Sequence, residues 1–182
     1  VTLASIKFQG LNEIAKFTDD YFKTKIIKSK MKKSEREKLW ISDYEIMIVN
    51  YEILYRDAKF ISKNFDKIKF NFICLDECTI LRNYNKTHWQ IKLVVDKILT
   101  QENHRILLMT GSPINKSIYE IYTLFSLTGI SYKLFGGEYQ FRKDYCIERN
   151  INIGTKIIKE IIGYKNIEKF SSQIDKYILR RR

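Results

Sequence analysis

Apolar residues along this chain come in short, dense runs rather than in clean alternations. "IMIVNY" (Ile46 to Tyr51), Lys69 to Leu75 and "RILLMT" (Arg105 to Thr110) are nearly continuous, and Val1 to Ser5 reads as a fourth strand. Strands covered on both faces have this look, so the runs predict a parallel sheet between helical layers. Between them the apolar period becomes helical. Gln9 to Phe17 and, in broken form, Tyr51 to Asp66 are predicted helices. Lys86 to Leu99 sets Ile91, Val94, Val95, Ile98 and Leu99 on one face. Ser117 and Glu120 predict a capping box at the head of "IYEIYTLFSL". Strands alternating with helices imply an α/β, doubly wound sheet with right-handed crossovers.

The pattern changes after Gly136-Gly137. Glu138 to Arg149 reads as a helix, Ile151 to Tyr164 as a small hairpin around Gly154, and "NIEKFSSQIDKYI" as a second helix leading into "LRRR". The predicted organisation is a sheet domain over 1–137 with an appendage over 138–182.

Composition sharpens this in three ways. The 45% apolar fraction of 182 residues supplies a real core. No apolar run approaches the roughly 20 residues of a membrane helix, and the first residues lack both a secretory pattern and an initiator Met, so the chain reads as a piece of a longer one. Thirty-three Lys and Arg against 21 acids give +12, which points to a polyanionic partner, nucleic acid first. The densest block, Lys23 to Lys38, reads as a solvated face as readily as a binding patch; the chain ends on Arg180, Arg181 and Arg182. The odd set Cys74, Cys78 and Cys146 lacks a second Cys/His pair at zinc spacing, and His88 and His104 stand alone. Reduced thiols and a cytoplasmic or nucleoid-associated, intracellular setting are expected.

Two strand ends carry candidate chemistry. "FNFICLDECTILRN" runs from apolar residues straight into Asp76-Glu77. Unpaired carboxylates are expensive to bury, so the pair must sit where the strand emerges. "TGSP", Thr110 to Pro113, marks the second end. In a parallel sheet both lie on one edge, where open α/β sheets bind ligands. In nucleotide hydrolysis an Asp at such a position holds magnesium and a neighbouring Glu polarises water. A Thr-Gly-Ser turn offers hydroxyls and free amides to a phosphate. The plainer reading is an ordinary strand-to-helix turn, with Gly111 there for its dihedrals and Ser112 or Ser117 as a cap.

Taken in order, these motifs resemble those of the Swi/Snf-related ATPases, helicase-like motors that translocate on double-stranded DNA. "DECTILRN" stands where that family has Asp-Glu-Ala-His followed by a basic residue and Asn, and "MTGSPIN" where it has Leu-Thr-Gly-Thr-Pro and Gln-Asn. "LASIKFQGLNEIAKF", "IVNYEIL", "LFGGEYQFRKDY" and "ILRRR" match further landmarks, so the resemblance covers nearly the whole chain. It implies a partial first RecA-like lobe: a parallel sheet flanked by helices in three layers, lacking the phosphate-loop strand. It implies ATP and Mg2+ as cofactors, with Asp76 on the magnesium and Glu77 on the hydrolytic water. Thr110, Gly111 and Ser112 would couple the nucleotide's state to DNA grip. Ser5, Lys7, Asn50 and Tyr51 fall in or beside the segments lining the family's DNA path, and Arg82 and Asn83 correspond to its basic-Asn pair. The implied partners are double-stranded DNA, the second motor lobe and flanking domains of the parent chain.

Two departures stand out. Thr79 replaces the family's His in the acidic box. A phosphate loop needs Gly-x-x-x-x-Gly-Lys-[Ser/Thr], and no two of the seven glycines are spaced that way. The resemblance implies that this loop precedes the segment with which the chain begins, and that its strand lies beside Arg105 to Thr110. Without it an apolar edge is left unpaired. The expected function is therefore a translocase whose ATP hydrolysis drives DNA movement, with these 182 residues inactive alone. The alternative is a lobe that has lost hydrolysis and only docks DNA or protein. An RNA helicase of the wider superfamily would usually carry Ser-Ala-Thr where "TGSP" stands.

Overall fold

Short apolar runs make short strands in this protein. The structure is a computed structural model describing residues 1–19, 21–68, 70–112, 114, 116–154 and 156–179, which divide into two units, 1–128 and 129–182. Lys69, Pro113 and Arg180 to Arg182, which figure in the sequence reading, lie outside the described residues. In the first unit β1 (Thr24–Ile26) pairs in parallel with β2 (Ile46–Ile48), and β3 (Phe72–Leu75) in parallel with β4 (Arg105–Leu108). Val1 and Thr2 lie between the two pairs. The Thr2 amide donates to the Val49 carbonyl at 3.0 Å, the Asp76 amide donates to the Val1 carbonyl at 2.8 Å, and the Val1 amine donates to the Cys74 carbonyl at 2.7 Å. The result is a small parallel α/β arrangement, the class that the sequence predicts.

Helices α1 (Lys7–Thr18), α2 (Lys33–Trp40), α3 (Tyr51–Lys63), α4 (Phe65–Ile68), α5 (Lys86–Leu99) and α6 (Ile118–Leu127) complete this unit. The core joins Ile53, Leu54, Ala58 and Ile61 of α3 to Ile91, Val94, Val95 and Ile98 of α5, with Ile73 and Leu75 of β3. Each large side chain in it contributes about 1.5–3 kcal/mol through loss of apolar surface to water. Asn85 caps α5 by accepting from the His88 amide at 2.9 Å. The highly charged α2 is held by two of its residues. Arg36 grips Asp57 through Nε and Nη2, the latter at 2.7 Å, and Trp40 Nε1 donates to the same carboxylate at 2.9 Å.

The second unit holds α7 (Ile130–Phe135), α8 (Glu138–Tyr145), an antiparallel hairpin of β5 (Cys146–Ile153) and β6 (Lys156–Tyr164), and α9 (Ile167–Ile174). Its core is aromatic: the rings of Phe135, Phe141, Tyr145 and Phe170 lie 5.3–6.1 Å apart, mostly edge to face. Gly136 and Gly137, with φ of 69° and 101°, make the turn between α7 and α8 that a side chain would strain.

Several expected elements differ. Val1 to Ser5 is not a full strand: it makes one parallel bridge, Thr2 to Asn50, then turns into α1. β1 and most of α2 lie in the basic block Lys23 to Lys38, for which the pattern predicts no element, because a three-residue strand and a helix whose buried residues are Arg36 and Trp40 carry no apolar period. The helix expected from Glu138 ends at Tyr145, where the alternation of Cys146 to Ile153 suits a strand that pairs with β6. The Ser117 side chain makes no capping bond; Glu120 instead accepts from the Lys116 amide at 3.3 Å.

Removing one partner of the Arg36–Asp57 pair strands a buried charge, so Asp57→Ala should destabilise the protein by about 3–5 kcal/mol in urea denaturation; a loss below about 1 kcal/mol would refute that role. His88 is fully buried, with Nδ1 3.0 Å from the Leu81 carbonyl, and burial pushes its pKa below the ordinary 6.5. The unfolded chain then binds a proton that the folded one refuses, so stability should fall as pH drops below about 6.5. His88→Gln should flatten that slope, read as urea midpoints at about pH 7.5 and about pH 5.5.

Candidate functional site

The register of β3 on β4, Phe72 to Arg105 through Leu75 to Leu108, ends both strands at the same level. Beyond it the pairing continues: the Met109 amide donates to the Leu75 carbonyl and the Cys78 amide to the Met109 carbonyl, both at 2.9 Å. Asp76-Glu77 and Thr110 to Ser112 therefore emerge side by side on one rim. Arg82, 92% buried, reaches from the turn after the acidic pair and donates through Nη2 to the Ser112 carbonyl. This ties the two strand ends together from residues 30 apart in sequence.

Asp76 is fixed on three sides. Its carboxylate accepts from Thr2 Oγ1 at 2.9 Å through Oδ2, its carbonyl accepts from Tyr51 Oη at 2.7 Å, and its amide is held by Val1. No described hydrogen bond occupies Oδ1. Glu77 adopts the left-handed conformation, φ 48° and ψ 50°, and starts a 3-10 turn at Cys78–Leu81. For a residue with a Cβ this carries about 1–2 kcal/mol of strain. On the facing end the Ser112 amide donates to Thr110 Oγ1 at 3.1 Å. Gly111 has an ordinary φ, and a Cβ there would meet nothing within 4 Å. Neither dihedral need nor crowding within this chain explains that glycine, so the space over it is open.

The six residues expected along a DNA path separate into two groups. Ser5 and Asn83 are exposed. Lys7, Asn50, Tyr51 and Arg82 are buried and already bonded inside. Lys7 Nζ donates to the Ile27 carbonyl at 2.9 Å and to Asn50 Oδ1 at 3.3 Å, and burial lowers its pKa from the ordinary lysine value. Tyr51 and Arg82 bond to the strand-end rim itself, while Lys7 and Asn50 bond to each other and Lys7 to the residue after β1. Thr2 and the buried role of Arg82 were not legible from the sequence. Thr2 meets Asp76 across 74 positions, and no local pattern announces a contact of that range.

The rim suits a magnesium–nucleotide only in part. Among the described residues no three His, Cys, Asp or Glu side chains converge on one point. Asp76 and Glu77 could supply two oxygens, and Mg2+ typically takes one or two carboxylates and completes its shell with water and substrate phosphates. The donor set therefore fits an ion that arrives with its phosphates. Cys78, buried beneath the turn, has its thiol pushed up to about 11 by desolvation and supplies no thiolate.

A family model described as the SNF2-related domain matches residues 4–182. The chromatin-remodeling ATPase INO80 of Saccharomyces cerevisiae is 24% identical over 195 residues, covering all of this chain and 12% of that protein. The TATA-binding protein-associated factor MOT1 of the same yeast is 27% identical over 145 residues, covering 78% of this chain and 7% of MOT1. The helicase SWR1, also of that yeast, is 24% identical over 164 residues, covering 84% of this chain and 10% of SWR1. The chain thus spans about a tenth of the length of these relatives.

If Arg82 is the tie between the two strand ends, Arg82→Ala should loosen the Thr110 turn. Hydrogen exchange over Leu108 to Ser112 is expected to speed up about tenfold, equivalent to about 1.4 kcal/mol, with exchange in α3 unchanged. Equal protection in the variant would show that the contact is incidental.

Proposed function

As the chain belongs to the SNF2-related domain family, we propose that it is part of a motor that couples ATP hydrolysis to movement along double-stranded DNA. The observation that carries this reading is the rim itself, with an acidic pair and a hydroxyl-bearing turn held side by side by Arg82. Asp76 would hold the magnesium of a bound nucleotide, which would offset the charge of its phosphates. Glu77, held at the mouth of the turn by its left-handed backbone, orients and activates the attacking water. Thr110, Gly111 and Ser112 sense the phosphate, and any shift there reaches the acidic turn through Arg82. Ser5 and Asn83 are the exposed members of the DNA path, with Lys7, Asn50 and Tyr51 bracing the backbone behind them. The printed names of INO80 and SWR1, a chromatin-remodeling ATPase and a helicase, support this reading.

These residues do not include a phosphate loop, since no glycine pair has the required spacing. The purified 182-residue chain is therefore expected to show no DNA-stimulated ATP turnover. Appreciable turnover would contradict the assignment of the nucleotide cradle to residues elsewhere. In a longer form of the protein that carries such a loop, Glu77→Gln should lower turnover by about 100-fold or more while duplex binding persists. Unaltered turnover in that variant would remove Glu77 from the chemistry.

A further inference from the structure

The second unit carries 12 Lys and Arg against six acids, half of the chain's net +12 in under a third of its length. Some of this charge is gathered around a cavity of about 300 Å³ between α8 and the hairpin. Arg142 and Lys143 enter it from α8, Lys159 from β6, and Lys165 from just past the end of β6. One carboxylate, Glu148, faces them, and it is already engaged: Arg142 Nε donates to it at 2.5 Å and Lys159 Nζ stands 3.6 Å away. Arg142 also stands 3.6 Å from Glu138. Lys143 and Lys165 make no ion pair with any described residue. The carboxylate thus orders two cations without neutralising the other two.

We propose that this cleft is a second contact for the phosphate backbone of duplex DNA, separate from the strand-end rim. The inference rests on the DNA reading above and gives it a surface outside the first unit. Three features favour a phosphodiester chain. The cations come from separate elements around an opening, so they can close on a tetrahedral anion from several sides, and guanidinium and ammonium groups are the usual phosphate donors. Tyr139 stands 78% exposed at the rim, where a phenol can donate to a phosphate oxygen. Five of the seven lining residues, Arg142, Lys143, Glu148, Lys159 and Lys165, carry a charge, four of them positive, whereas a peptide ligand normally brings an apolar anchor that needs an uncharged pocket.

The test is fluorescence anisotropy of a labelled 20-bp duplex titrated with the 182-residue chain at several KCl concentrations. Lys143→Gln with Lys165→Gln should weaken binding about tenfold at low salt and reduce the log–log salt slope by about 2, one unit per lost phosphate contact. Lys133→Gln with Lys169→Gln removes the same charge from exposed positions of the same unit outside the cleft, and should leave the slope within about half a unit of the parent. Thermal melts of both pairs confirm folding, since none of the four ammonium groups holds a described partner. Equal effects of the two pairs would overturn the cleft while leaving DNA binding intact. Failure of the unsubstituted chain to bind duplex at all would overturn both readings. Competition by polyglutamate as strong as by unlabelled duplex would overturn the choice of nucleic acid.

Discussion

The structure of the first unit turns on the parallel ladder between Phe72–Leu75 and Arg105–Leu108. Parallel pairing is the only geometry in which two strands finish at the same edge of a sheet, and their crossover must pass over one face. Here α5 provides that crossover, burying Ile91, Val94, Val95 and Ile98 against α3 and the sheet. Once the ladder is set, Asp76 and Thr110 leave the sheet together, and the Cys78–Met109 and Arg82–Ser112 bonds extend the pairing beyond it. The chemistry proposed for the site follows from this register. A shift by one residue would turn Leu75 outward and carry the acidic turn away from its neighbour.

Local strain is concentrated where function is proposed. Glu77 holds a left-handed backbone without the freedom of glycine, and it persists because the residues before and after it are pinned by Val1, Tyr51 and Met109. Buried polar residues hold this part of the first unit, Tyr51 and Arg82 at the rim and Lys7 and Asn50 beside β1. Lys7, Asn50, Tyr51 and Arg82 have their polar ends turned inward onto carbonyls and each other. Among the described residues Arg82 Nε is the one buried side-chain donor without a partner, so the guanidinium is under-satisfied at the point where the two turns meet. Unpaired buried donors of this kind are uncommon.

Much of this was readable in the sequence, and the failures have physical causes. The helix Lys86–Leu99 is legible with its observed bounds because its apolar period agrees with the packing. The strands at 72–75 and 105–108 were visible as continuous apolar runs, and Asp76-Glu77 as the point where such a run becomes too costly to bury. β1 and α2 were hidden because three residues are too few to show a period, and because α2 is held by one ion pair and one indole rather than by an apolar stripe. The burial of Lys7 and Arg82 was equally hidden. A basic residue reads as exposed until the carbonyls that receive it are located, and those are 20 and 30 positions away.

The central claim is that the acidic turn and the Thr110 turn present one face to a metal–nucleotide. The most direct measurement is paramagnetic broadening of backbone amide resonances when Mn2+ and ATP are added together to the 182-residue chain, since relaxation by bound manganese registers even weak occupancy. The account predicts selective broadening at Asp76 to Cys78 and at Thr110 to Ser112 in the same titration, and its loss from both turns in Asp76→Asn. Broadening confined to one turn, or spread over surface carboxylates and indifferent to that substitution, would contradict it.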